Sequence, residues 1–104
     1  MIELHADNFR EEVLDKKGTV LVDFWSPSCE PCKALLPHIE AMEKDHPAVV
    51  FGKVDLSKSR RLAISQKVSR VPAILLFVDG ERQEMLSGEE ATAQAVQDLL
   101  HRFQ

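Results

Sequence analysis

Cys29 and Cys32 enclose two residues in the run Ser26-Pro27-Ser28-Cys29-Glu30-Pro31-Cys32-Lys33, and the chain has no other cysteine. Two thiols at this spacing suit thiol–disulfide chemistry. A thiolate at one attacks a disulfide sulfur, and the other resolves the mixed disulfide within the same molecule. Reactivity depends on where such a pair is held. The apolar run Thr19-Val20-Leu21-Val22-Asp23-Phe24-Trp25 precedes Cys29, and a helix-like segment, Lys33 to Glu43, follows Cys32. A strand, a short loop and a helix start thus converge on the dithiol. A helix N-terminus carries about half a positive charge and unsatisfied N–H groups, so it stabilises a thiolate placed there.

The elements around the pair alternate along the chain without a linker or an internal repeat. Ile2 to His5 is a strand candidate. Asp7 is suited to cap a helix running to about Lys16, with Phe9 and Val13 on one face, and Gly18 ends it. Val20 to Trp25 is nearly all apolar, as a central strand covered on both sides requires. The helix after the cysteines reaches about Asp45, with Leu35, Ile39 and Met42 at helical spacing and Pro37 inside it. Val49 to Asp55 reads as a strand, Ser59 to Lys67 as a shorter helix and Ala73 to Val78 as a strand. Asp79-Gly80 is a two-residue hairpin signal leading into Glu81 to Ser87. A last helix after Gly88 turns Val96, Leu99, Leu100 and Phe103 inward. Helical crossovers make the first strands parallel, and the Asp-Gly turn makes the last pair antiparallel, giving an α/β fold with a mixed sheet.

One domain, residues 1–104, accounts for the length. Apolar residues are 44% and charged residues 29% of the chain, which suits a folded globule. The net charge of −4 comes without a basic cluster, so no nucleic-acid partner is expected. No apolar run approaches the ~20 residues that cross a bilayer, so no membrane association is expected. Met1 to Asp7 shows neither a basic nor an apolar leader region, which points to the cytoplasm. There a CxxC pair is more often catalytic or metal-binding than a structural staple. His5, His38, His46 and His101 supply no closely spaced second ligand pair, so no metal is expected. Asp23 stands out separately, because a carboxylate inside an apolar strand is costly unless partnered, protonated or functional.

Over essentially its whole length the chain resembles the thioredoxin family. The resemblance rests on Val22-Asp23-Phe24-Trp25, Cys29-Glu30-Pro31-Cys32-Lys33 with Pro37 downstream, Lys53-Val54-Asp55, Val71-Pro72, and Asp79-Gly80 followed by Gly88. It implies the thioredoxin fold, a central mixed five-stranded sheet flanked by four helices. It implies that Cys29 attacks and that Cys32 resolves. Asp23 would lie beneath Cys32 and shuttle its proton, assisted by Lys53; the competing reading is a purely structural Asp23–Lys53 pair. X–Pro bonds favour trans on general grounds, whereas the family places a cis-proline at Pro72, opposite the dithiol. The exposed backbone of Val71 could then pair with an extended substrate. Trp25, Glu30, Pro31, Arg70, Val71, Pro72 and Gly88 complete the implied substrate-binding face.

The implied activity is protein disulfide reduction without a bound cofactor. Electrons would come from a thioredoxin reductase, disulfide-containing proteins would be the targets, and the chain would act as a monomer. A thiol oxidase or isomerase of the same fold is an alternative, as is a non-catalytic module using the docking face. Four positions depart from the family pattern. Glu30 replaces a usual glycine and Ser28 a common tryptophan, while Arg70 and Ala73 stand where glycine or serine and threonine are more usual. Glu30 is expected to repel the Cys29 thiolate and, with Arg70, to form a charged rim that selects partners.

Overall fold

The structure, a computed structural model, describes residues 1–103; residue 104, the end of the expected domain, lies outside them. The strands are β1 (Ile2–Leu4), β2 (Thr19–Trp25), β3 (Val50–Asp55), β4 (Ala73–Val78) and β5 (Glu81–Ser87). They form one sheet in the order β1-β3-β2-β4-β5. Strand β3 runs parallel to both β1 and β2, whereas β4 is antiparallel to β2 and β5 antiparallel to β4. Three α-helices, α1 (Glu30–Asp45), α2 (Arg60–Ser65) and α3 (Ala93–Arg102), accompany a π-helical turn at Arg10–Leu14 and a 3-10 turn at Gly88–Glu90.

Strand alternation divides the core into two layers. Val20, Val22 and Phe24 of β2 join Phe9, Val13, Leu62, Ala63 and Phe77 on one side of the sheet. Leu21 joins Leu35, Ile39 and Met42 of α1 and Val96, Leu99 and Leu100 of α3 on the other. Burial on both faces explains why β2 and β4 read as continuous apolar runs. Asp79 and Gly80 both have positive φ, the conformation of a two-residue hairpin turn. The Asp79 carboxylate accepts a 2.7 Å hydrogen bond from the Gly18 N–H, and the Gly18 carbonyl accepts one of 2.9 Å from the Asp79 N–H. Two turns 61 residues apart are thereby joined.

Several local expectations are corrected. The first helix is short, and Asp7 does not cap it. His5 and Asn8 organise that turn instead: Asn8 Oδ1 accepts from the His5 N–H, and His5 Nδ1 accepts from the Asp7 N–H. The Asp15 N–H donates to the Arg10 carbonyl, five residues back, which widens the turn. The helix after the cysteines starts at Glu30 rather than Lys33, with Cys29 as its N-cap and Pro31 in its first turn. Pro37 lies inside this helix without ending it. The helix expected over Ser59–Lys67 is confined to Arg60–Ser65.

Candidate active site

Helix α1 is sixteen residues long, and Cys29 sits at its positive end. The Cys32 backbone N–H donates to Cys29 Sγ at 3.2 Å. A sulfur at Cys29 thus occupies the place of an N-cap oxygen and meets a donor that the helix leaves unsatisfied. Cys32 lies one turn in, on the buried stripe that continues through Leu35, Ile39 and Met42. Cys29 is half-buried, whereas Cys32 is 1% exposed. The two are joined as a disulfide with Cα atoms 5.3 Å apart, inside the ordinary range for such bonds. Ser26 and Ser28 in the preceding loop are within 3.1 Å of one another through their hydroxyls.

Asp23 shares the sheet face of Leu21, the face covered by α1 and α3. It is 1% exposed, and neither carboxylate oxygen has a hydrogen-bond partner among the described residues. Burial raises its pKa to about 7, against a weaker lowering by the positive charge of Lys53. Lys53 is its register neighbour on β3. The Lys53 ammonium lies 5.9 Å over the ring of Trp25, the next residue on that face of β2. The structure therefore contains a buried carboxyl poised to gain or lose a proton near neutral pH, on the side of the sheet where Cys32 is buried.

The β2–β4 register pairs Phe24 with Ala73, which sets Pro72 beside the end of β2 that leads to Cys29. The Val71–Pro72 bond is cis. The Pro72 carbonyl accepts from the Gly88 N–H at 2.8 Å, closing the corner where β5 ends. Arg70 lies over this corner: a Cβ placed on Gly88 would sit 3.3 Å from its Cζ.

Glu30 and Arg70 do not pair with one another among the described residues. Glu30 pairs with Lys33 at 2.8 Å, and both side chains are well exposed. The reason is the early helix start, which puts the two at i and i+3 on one face. Lys33 is the participant that sequence reasoning missed. Pro31 was the available signal, since proline is favoured in a first helical turn.

The thioredoxin family model matches residues 1–101. A thioredoxin from Acetoanaerobium sticklandii is 48% identical over 104 residues, covering 99% of each chain. The chain belongs to the thioredoxin family. A thioredoxin from Peptoclostridium acidaminophilum is 39% identical over 96% of this chain and 92% of its own. The Fasciola hepatica thioredoxin structure superposes with a TM-score of 0.88 at 27% identity, covering all of both chains. Like other thioredoxins, this one is a thiol–disulfide oxidoreductase, and its Cys29–Cys32 pair supports disulfide reduction. Membership brings disulfide-containing targets and a reductase partner in general. Among the described residues no helix is long and apolar enough to cross a membrane.

Proposed function

We propose that Cys29 is the attacking thiol and Cys32 the resolving thiol of a cytoplasmic protein disulfide reductase served by a thioredoxin reductase. The observation that carries this assignment is the contrast between half-buried Cys29 at the helix N-cap and fully buried Cys32. The Cys29 thiolate attacks one sulfur of a target disulfide, and the other target sulfur leaves as a thiolate that takes up a proton. Cys32 then loses its proton, attacks the Cys29 sulfur and expels the second target sulfur. Two electrons have passed to the target, and Cys29–Cys32 is a disulfide. The reductase returns two electrons to it.

Asp23 accepts the Cys32 proton in the second step. Its burial on the α1 side of the sheet and its raised pKa of about 7 suit a base working near neutrality. Lys53 tunes that carboxyl through its charge, and Trp25 holds Lys53. The extended target lies against the backbone of Val71 beside Pro72, with Pro31 and Gly88 bounding the contact. Residues 1–104 act as one thioredoxin-like domain. A monomer fits the surface, since Ile64 is the one large apolar side chain left exposed among the described residues. A reducing compartment suits the chemistry, because a dithiol that donates electrons must be kept reduced.

Reduction of insulin disulfides by NADPH, dependent on both a thioredoxin reductase and this protein, is the test. Turnover with the reductase present supports the reading. Absence of turnover by a protein whose disulfide the reductase does reduce would remove it.

A further inference from the structure

Arg70 is the only charged residue between Val68 and Ala73, the segment that leads through the cis bond into β4. Its Cζ, Nη1 and Nε lie 3.3, 3.4 and 3.5 Å from the position a Cβ on Gly88 would occupy. Three guanidinium atoms nearly equidistant from one point mean that the group faces Gly88 flat. Its N–H edge is then left to point along the surface. A side chain at position 88 would make this seat tight, and the guanidinium would have to give by a few tenths of an ångström.

The charge is also unanswered. Among the described residues Arg70 is exposed and makes neither an ion pair nor a hydrogen bond. Glu30, the acid within the dithiol motif, is engaged by Lys33. A planar fork of donors fits a carboxylate better than any other common side-chain partner. We infer that Arg70 selects target disulfides whose attacked cysteine is flanked by an acidic residue, by pairing with that carboxylate as the target lies along Val71.

This inference rests on the reductase reading and on docking at Val71. Three disulfide-linked peptides that differ only in Glu, Gln or Lys beside the attacked cysteine test it, with kcat/KM for each as the readout. The unaltered protein should prefer the Glu peptide to the Lys peptide by about two- to fivefold, the range of one exposed ion pair. The preference should shrink as salt is raised. Arg70→Glu should reverse the order, and the ratio between peptides cancels any change in turnover common to them. Lys17→Glu makes the same charge reversal before β2, at the opposite end from the dithiol, and should keep the order. No preference in the unaltered protein, its survival in Arg70→Glu, or its equal loss in Lys17→Glu would each overturn the inference. Failure of the unaltered protein to reduce even the Gln peptide would overturn the reductase reading, and this inference with it.

Discussion

Lys53 stands directly across from Asp23 in the β2–β3 register, yet its ammonium lies over Trp25 instead of bonding to the carboxylate. The pair is therefore neither a buried salt bridge nor independent. Lys53 acts on Asp23 by charge alone, through space, while burial dominates the carboxyl's behaviour. That leaves Asp23 protonatable near pH 7, which a tight ion pair would have prevented.

Asp23→Asn should stabilise the protein in a pH-dependent way. The folded state holds the Asp23 proton up to about pH 7, whereas the unfolded state releases it near 3.8. The contribution of Asp23 to stability therefore falls as pH rises between those values, and its penalty is complete above about 7. A buried amide also lacks partners, so the net gain from the variant should be about 1–3 kcal/mol at pH 8. Below pH 4 the gain should vanish or change sign. Urea unfolding at pH 4 and pH 8 measures it; equal differences at both would mean that Asp23 does not titrate as described.

The same variant should slow resolution of the mixed disulfide by about a hundredfold or more, the scale of a lost general base. Single-turnover kinetics separate this step from the first attack, which should be nearly unaffected. A loss shared equally between both steps would assign Asp23 a structural part only.

Lys53→Met removes the positive charge that opposes the effect of burial on Asp23. The midpoint in the pH profile of resolution should move to higher pH. A profile that stays in place would mean that Lys53 does not reach Asp23 electrostatically.

Cys29→Ser should abolish turnover, and Cys32→Ser should accumulate a mixed disulfide through Cys29. Mass spectrometry of the trapped adduct identifies the sulfur involved. An adduct formed through Cys32 in the opposite variant would reverse the two roles.

Glu30 is paired with Lys33, so the two charges act in opposite directions on the Cys29 thiolate. Lys33→Met leaves an unpaired acid in the first turn of α1, destabilises the thiolate and should make the potential more negative by on the order of 10–25 mV. Adding Glu30→Gln should return it towards the starting value. Equilibration with glutathione measures all three proteins, and a shift to less negative values in Lys33→Met would contradict this account.

Strands were the part of the fold most legible in sequence, for a physical reason. Strand β4 is buried on both faces and β5 begins at a turn only Asp-Gly-type residues favour, so both have the bounds expected. Pairing direction was harder. Nothing in residues 60–72 says that β4 will run antiparallel to β2 rather than continue the parallel series. Helix starts failed where a cap is unusual: Cys29 is not among the ordinary capping residues, and at the first turn the ring nitrogen of His5 and the amide of Asn8 displaced Asp7. At the site, the residue types disclosed the dithiol and Asp23. The partners of exposed charges stayed hidden, because Glu30 and Arg70 choose between neighbours only once the backbone is fixed.

Strand β2 has neighbours on both edges and packed layers on both faces, and the dithiol begins four residues beyond its end. Amides in such a strand exchange with solvent only when the whole molecule opens. Val22 to Phe24 should thus keep one slow exchange rate limit, set by global unfolding, whether the cysteines are oxidised or reduced. The chemistry is anchored to the least yielding part of the protein. Adjustment to differently shaped targets falls to the loop Ser26–Ser28 and to the segment before Val71, where deuterium uptake should respond when a target docks.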